Sequence, residues 1–345
     1  MAADICAKGV IDVHSHIITP EFLSSLKAEG RLMDEGFPLP EYDAGAHLEW
    51  MDQAGVQTSV LTLAAPQPTS ARVVRSANEA AAALKQMHPG RFLFCAALPL
   101  PDVDAAIREA VYAIDTLKAD GIKLATNVDG QYLGTPELDT LFSVLDRLRA
   151  VVLLHPHRPE PVCRQVMQQT PLAMQEYLSE TTRAVANMIS RNVLARYPHV
   201  KVVVPHCGAY LPLAIPRMKS LTPVMQENGL VGEIDYAACL AALYYDLAGA
   251  HSPEVIRMLL TITEPGHLLY GSDYPYVAPQ VLTQSLRRMK DYLTSEQDLA
   301  PYKEMILWRN AEKLFLSSRP SSAVGMYAGA MGARQVVDAP PAHLQ

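Results

Sequence analysis

The sequence predicts an α/β protein built as a (β/α)8 TIM barrel, with a loop insertion after strand 1 and a C-terminal helical or irregular extension. Eight short apolar runs recur along the chain, and each is followed by a segment with helical spacing. The first run ends in His-Ser-His, where a doubly wound nucleotide-binding sheet would carry a glycine-rich phosphate turn. Both observations favour the barrel.

The eight predicted strands are continuous apolar runs and not alternations of apolar and polar residues. Continuous runs are typical of parallel strands that are covered on both faces, as in a sheet wrapped by helices. In chain order the predicted strands are Val10–Val13, Thr58–Leu63, Phe92–Leu98, Gly121–Leu124, Val151–Leu154, Val202–Val204, Leu243–Leu247 and Leu268–Tyr270.

Two of the intervening helices have clear start signals. Thr135 is suited to cap a helix that has Pro136 at its first position, and Ser252 precedes Pro253 in the same way. The apolar stripe predicted for the first helix is Leu138, Leu141, Phe142, Leu145 and Leu148; that of the second is Val255, Met258, Leu259 and Ile262.

The chain is predicted to divide into a barrel domain, residues 1–316, and a C-terminal tail, residues 317–345. The tail is rich in Ser, Pro, Ala and Gly without sustained periodicity, as expected of a loosely packed or partner-contacting segment. The segment Thr19–Ala44 is a long insertion after strand 1, on the face where barrel active sites lie. We therefore expect it to act as a lid.

Composition and charge point to a small-molecule ligand. The formal net charge is -7, and Lys and Arg form no cluster of the kind that binds nucleic acid or an anionic membrane. The cysteines are scattered and form no C-x-x-C pair, and no apolar run is long enough to cross a membrane. These features predict a cytoplasmic protein with no nucleic-acid or membrane partner.

The strongest chemical signal is the pair His14 and His16 at the end of strand 1. Residues two apart on a strand project from the same face, so both imidazoles can reach one ion. A His-x-His pair is equally compatible with two histidines in a solvated turn, and by itself the pair leaves both interpretations open.

Three further strands end in a potential ligand or base. Strand 5 runs into His155, strand 6 into His206, and strand 8 into Asp273. Each of these residues alone is more often structural than functional. Because the carboxyl ends of barrel strands open onto one face, the five side chains together predict a metal-dependent active site.

These motifs resemble the amidohydrolase superfamily, specifically the amidohydrolase-2 group that includes aminocarboxymuconate-semialdehyde decarboxylase and related aromatic-acid decarboxylases. The resemblance covers about residues 10–316. It is carried by IDVHSH, LLHPH, the long stretch from ETTRAV through VVVPHCG to AIPRM, YGSDYPY and the NAEKLF helix.

The resemblance implies a role for each of these side chains. It implies that His14, His16, His155 and Asp273 hold one divalent metal ion, zinc or alternatively manganese. His206 is implied to be the catalytic acid or base. In a hydrolase of the same superfamily, Asp273 would also be catalytic, because it would take up the proton of the attacking water.

Two positions bear on the substrate. In the decarboxylase an arginine follows the catalytic histidine by eleven positions and reaches a substrate carboxylate across a dimer interface; the matching residue is Arg217. The resemblance therefore implies a carboxylic acid substrate and a homodimer, although a solvated helix arginine is the alternative. The family's second arginine position holds His47, which is therefore a candidate substrate contact; the departure from arginine argues against aminocarboxymuconate semialdehyde as the substrate.

Other polar residues near the strand ends are candidate substrate contacts. Lys123 ends strand 4, where binuclear relatives have a carbamylated lysine; an ordinary pocket lysine is the preferred interpretation. His157 and Asn127 are placed to add donors to the same face. Cys207 is interpreted as a packed small residue, and the segment Met167–Leu178 as helix core in preference to a pocket wall.

These residues favour a metal-dependent non-oxidative decarboxylase of an aromatic or unsaturated carboxylic acid. The alternative is a metal-dependent hydrolase or hydratase acting on a lactone, amide or enol acid with the same ligands. A third hypothesis, a barrel that only binds or scaffolds, requires the metal site to be vestigial.

Overall fold

The computed structural model describes residues 9–33, 36–162, 165, 170–249 and 251–316. All eight predicted strands are present and form one parallel sheet in chain order. Their bounds are β1 Val10–Ile17, β2 Val56–Leu63, β3 Phe92–Ala97, β4 Gly121–Ala125, β5 Val151–His155, β6 Lys201–Val204, β7 Leu243–Asp246 and β8 Leu268–Leu269. The Val13 N–H donates to the Tyr270 carbonyl at 3.0 Å and joins the two ends of the sheet. The predicted barrel is confirmed.

The helices alternate with the strands and cover the outside of the barrel. They are α1 Pro20–Ala28, α2 Ala44–Ala54, α3 Ala71–Met87, α4 Val103–Asp115, α5 Asp139–Arg147, α6 Glu176–Ser190, α7 Val193–Arg196, α8 Leu211–Glu227, α9 Tyr236–Ala241, α10 Pro253–Leu259, α11 Pro279–Ser295 and α12 Asn310–Leu316. Within these described ranges, no helix combines the length and apolar character that a membrane crossing demands. The cytoplasmic location stays a prediction.

The two predicted helix starts differ in outcome. Ser252 caps α10, because its hydroxyl accepts the N–H of Val255 at 3.3 Å. Thr135 makes no side-chain cap, since Pro136–Leu138 forms a 3-10 turn and α5 begins only at Asp139. The apolar stripe predicted for this helix, from Leu138 to Leu148, is nevertheless buried.

One end of the barrel is closed by apolar side chains. Ala311, Leu314 and Phe315 of α12 pack against inward-facing residues of the strands, among them Ile11 and Leu153. This plug fills the end where the strands begin, so the opposite end is left for the strand-terminal histidines.

The insertion after β1 is confirmed and contains a helix. Phe22 and Leu26 of α1 are buried against Val73 and Val74 of α3, which anchors the insertion to the barrel. The predicted tail, residues 317–345, lies outside the described residues, so the boundary at residue 316 stays a prediction.

Candidate active site

All four predicted metal ligands come together at the carboxyl ends of β1, β5 and β8. One ligand atom from each of His14, His16, His155 and Asp273 lies within 4.8 Å of all the others. The Nε2 atoms of His14 and His16 are 3.2 Å apart, and Oδ1 of Asp273 lies 3.2 Å from Nε2 of His16. The pairing of β1 with β2 contains a bulge, because two residues lie between Asp12 and Ser15 on β1 and only one lies opposite them on β2. His14 is one of these two residues.

The other ring nitrogen of each histidine already has a partner. Nδ1 of His14 lies 2.8 Å from Oδ2 of Asp246, and Nδ1 of His155 lies 2.8 Å from the Pro156 carbonyl. Nδ1 of His16 lies 3.0 Å from the Thr62 hydroxyl, which donates its own hydrogen to the Ser15 carbonyl. These contacts leave Nε2 of all three rings as the ligand atom. Three imidazoles and one carboxylate fit a divalent ion such as zinc or manganese.

A buried carboxylate joins the strands that carry the ligands. Oδ1 of Asp12 accepts the N–H groups of His14 and Ser272 at 3.1 and 2.9 Å. Burial raises the pKa of Asp12 to about 6. Close packing here also requires Gly271, because a Cβ at that position would lie 2.8 Å from Cβ of His14. The Asp12 contacts thus set the position of the segment that carries Asp273.

The four ligands differ in the direction in which the site shifts their pKa. Burial lowers the pKa of His16 to about 4 and holds the pKa of His155 well below its usual range, so both rings are neutral and ready to bind an ion. Burial opposes charge on His14, but the carboxylates around the ring, with Asp246 the strongest of them, together raise the pKa of His14 to about 9. Burial also opposes charge on Asp273, but the neighbouring His16 and His206 side chains hold the pKa of Asp273 well below its usual range.

The predicted acid or base, His206, lies beside the ligand cluster. Its Nε2 is 3.9 Å from Oδ2 of Asp273, and its ring centroid is 5.1 Å from that of His14. His206, Cys207, Gly208 and Ala209 all have positive φ angles, from 52° to 72°. Only one of the four is glycine, so the backbone is held in a costly conformation at the site.

A cavity of about 560 Å³ opens onto His155, His206 and Asp273. Phe37, Pro38 and Pro40 line it, as expected for an insertion that covers the site. The rest of its wall is mostly apolar and includes Ala173, Met174, Tyr177, Leu178, Val255, Met258 and Tyr276.

Two predictions about apolar residues are corrected by this cavity. Of the segment interpreted as core, Ala173, Met174, Tyr177 and Leu178 line the cavity, whereas residues 167–169 lie outside the described residues. Met258 also lines the cavity and is 36% exposed, while Ile256 is buried on the core side of α10. A cavity wall and a core both select apolar side chains at helical spacing, so the pattern does not separate them.

Three predicted substrate contacts lie elsewhere on the same end of the barrel. Lys123 is buried, and its ammonium donates to Oε1 of Gln67 at 2.6 Å. Asn127 donates to Oε2 of Glu180 at 2.9 Å. Asn127 and His157 line a separate cavity of about 200 Å³. None of the three is among the described residues that line the larger cavity.

His47 and Arg217 also lie away from the larger cavity of their own chain. The ring of His47 stacks on Tyr274 with centroids 4.1 Å apart and packs near Trp50, and burial lowers its pKa to about 3. A direct substrate contact of His47 would require this stack to open. Arg217 is exposed on α8. Cys207 is buried and burial raises the pKa of its thiol, as expected for a packed residue.

Sequence reasoning missed Asp246 and Thr62, the side-chain partners of His14 and His16. A signal for Asp246 was available, because it is the last residue of β7 just as His155 is the last residue of β5. Thr62 offers no such signal, since a threonine inside an apolar strand is ordinary.

Comparison with known proteins agrees with this site. The amidohydrolase family model matches residues 11–316. Decarboxylase yanB of Aspergillus niger is 32% identical over 88% of this chain and 87% of its own, and 6-methylsalicylic acid decarboxylase of Penicillium expansum is 30% identical over 83% of this chain and 91% of its own.

A solved structure shares the fold. The structure of 5-carboxyvanillate decarboxylase from Novosphingobium aromaticivorans, complexed with manganese and 4-hydroxy-3-methoxy-5-nitrobenzoic acid, matches with a TM-score of 0.77 at 18% identity and covers 91% of this chain and 97% of that one. With the family model matching nearly the whole barrel, the chain belongs to the amidohydrolase family.

Proposed function

We propose that the protein is a metal-dependent, non-oxidative decarboxylase of an aromatic carboxylic acid. The observation that carries the proposal is a single-ion ligand set with His206 beside it and an apolar cavity in front of it. Three relatives at 30% identity or more are named as decarboxylases, which favours this reaction over hydrolysis.

His14, His16, His155 and Asp273 would hold the ion through the nitrogen and oxygen atoms that already converge. When bound, a divalent ion would supply positive charge that orients an acidic substrate and stabilises developing negative charge. His206 lines the cavity beside the ligand cluster, and its Nε2 lies 3.9 Å from Oδ2 of Asp273. In the reaction the bond between the ring carbon and the carboxylate breaks, carbon dioxide leaves, and a proton from His206 takes its place on the carbon.

The cavity wall favours a substrate with an apolar ring. Phe37, Tyr177 and Tyr276 offer aromatic surface, and Met174 and Met258 offer adaptable apolar surface. Among the described residues that line this cavity there is no Lys or Arg. A cation that pairs with a carboxylate of the substrate would therefore have to come from outside the described wall.

The reaction is tested by measuring carbon dioxide release from a panel of hydroxybenzoates, with and without alkyl groups, and of muconate-like acids. We expect metal-dependent release from at least one hydroxybenzoate, with deuterium on the former carboxyl-bearing carbon when the solvent is heavy water. Incorporation of labelled water oxygen into product, without carbon dioxide, would instead identify a hydrolase. Failure of every acid in the panel with metal-loaded enzyme would overturn the proposal.

We also propose a homodimer in which α8 forms the interface. Leu213, Arg217, Leu221 and Val224 follow one another at intervals of four, four and three residues, so they share one face of α8. Leu213 is 68% exposed and Val224 is 51% exposed. A second copy of the chain would bury this apolar stripe and bring Arg217 near its cavity.

Mixing two inactive variants tests this arrangement. Arg217→Ala and His206→Asn are unfolded and refolded together, or coexpressed, so that subunits exchange. If Arg217 serves the partner's site, one site in each mixed dimer has both residues, and about a quarter of the wild-type activity returns. No recovery, with mixed dimers demonstrated by differently tagged subunits, would contradict the cross-subunit role. A monomer by light scattering would contradict the dimer itself.

A further inference from the structure

Asp246 is a buried carboxylate with contacts to two parts of the site. It is the last residue of β7 and is 3% exposed. Its Oδ2 lies 2.8 Å from Nδ1 of the metal ligand His14. Its Oδ1 accepts the backbone N–H groups of His206 and Ala248 at 3.1 and 3.0 Å. One carboxylate thus contacts both the ligand cluster and the segment that carries the acid or base.

The contact with His14 decides which ring nitrogen is available to the ion. A carboxylate oxygen can only accept, so Nδ1 of His14 must carry the hydrogen in this contact. When an ion displaces the second proton of the ring, it meets the lone pair of Nε2, which points toward His16 and Asp273, 3.2 and 3.5 Å away. With the other tautomer, Nε2 would carry a hydrogen where the ion binds.

The contact with His206 acts on the backbone. His206 and its three successors have positive φ angles, a conformation that non-glycine residues adopt only when the surroundings enforce it. Nδ1 of His206 is buried without a hydrogen-bond partner among the described residues, so the ring is not fixed from that side. The hydrogen bond from the His206 backbone N–H to Asp246 therefore helps to hold the backbone from which the ring projects.

We propose that Asp246 is a positioning residue that aligns the metal ligand His14 and the acid or base His206 through its two oxygens. It touches neither the ligand atoms nor the open side of the cavity. The proposal concerns ion affinity as well as turnover, and it holds whichever reaction the site performs.

The test is Asp246→Asn, with ion affinity measured in the absence of substrate. The amide keeps the shape of the side chain and can keep one oxygen for the His206 and Ala248 N–H groups. Its NH2 group would then face Nδ1 of His14 and favour the tautomer that blocks the ion. Competition with a chromogenic chelator should show zinc and manganese bound about 10-fold to 100-fold more weakly than by the wild type. At saturating ion, kcat should fall as well, because the His206 segment loses its charged acceptor.

Glu109→Gln is the matched control, because Glu109 is also a buried carboxylate with charged and neutral partners, Arg75 and Asn78, but lies on α4 outside the site. We expect it to lower the melting temperature and to leave ion affinity unchanged. If Asp246→Asn is too unstable for chelator competition, the rise in melting temperature on adding zinc reports the same affinity. Ion affinity of Asp246→Asn within twofold of the wild type, or a wild type that binds neither ion, would overturn the proposal.

Discussion

Replacing His206 with asparagine is expected to lower kcat by about 10²-fold to 10⁴-fold, the range typical for loss of a general acid. The imidazole is the group beside Asp273 that can hand over a proton, and asparagine cannot do so at neutral pH. The four ion ligands are untouched by this change. The variant should therefore bind as much metal as the wild type, measured by elemental analysis of the dialysed protein.

The control for this experiment follows the source of the proton that replaces the carboxylate. In heavy water the residual turnover of His206→Asn should still place deuterium on the carbon that lost the carboxylate, because solvent replaces the missing acid. A loss of less than about fivefold, with the metal retained, would show that His206 is not the acid.

Removing the metal is expected to abolish activity reversibly. The double variant His14→Ala, His16→Ala is expected to lose activity in a way that added metal does not restore. These two imidazoles supply half of the ligand set, and their Nε2 atoms lie 3.2 Å apart in a buried site. Protein stripped with a chelator should regain activity on addition of zinc or manganese, and the ion that restores more activity identifies the better cofactor. The double variant should regain none.

Metal binding should also be visible in the stability of the protein. An ion at 100 times its dissociation constant stabilises the native state by about 2.7 kcal/mol, because only the folded chain assembles the site. The melting temperature of the stripped wild type should therefore rise by a few degrees on adding the ion, whereas that of the double variant should not. Full activity in rigorously metal-free protein would rule out the metal-dependent mechanism.

The barrel and the ion ligands were predictable because local sequence signals them. Each strand is an apolar run that a neighbouring helix covers, and a polar residue at its end stands out against that run. His155 after Val151–Leu154 is the clearest case. The same rule placed His206 and Asp273 at the correct end of the barrel.

The partners of the ligands were not predictable to the same degree. Asp246 is 232 residues from His14 in the chain, and their contact depends on how the two strands sit in the closed barrel. His47 was assigned by counting positions from a related helix, and counting gave no sign that its ring stacks on Tyr274. Which way a helical side chain points is decided by packing, which counting does not capture.

The cavity wall and the reacting groups come from different parts of the chain. The ion ligands stand at strand ends, where Gly271, Asp12 and the bulge of β1 leave little room for change. Phe37 and Met174 of the cavity wall belong to segments that connect strands to the helices that follow them, and Met258 belongs to α10. Mutations in these connecting segments can therefore alter which acid is accepted while the reacting centre is inherited intact, so new substrate ranges can evolve, or be engineered, without rebuilding the chemistry.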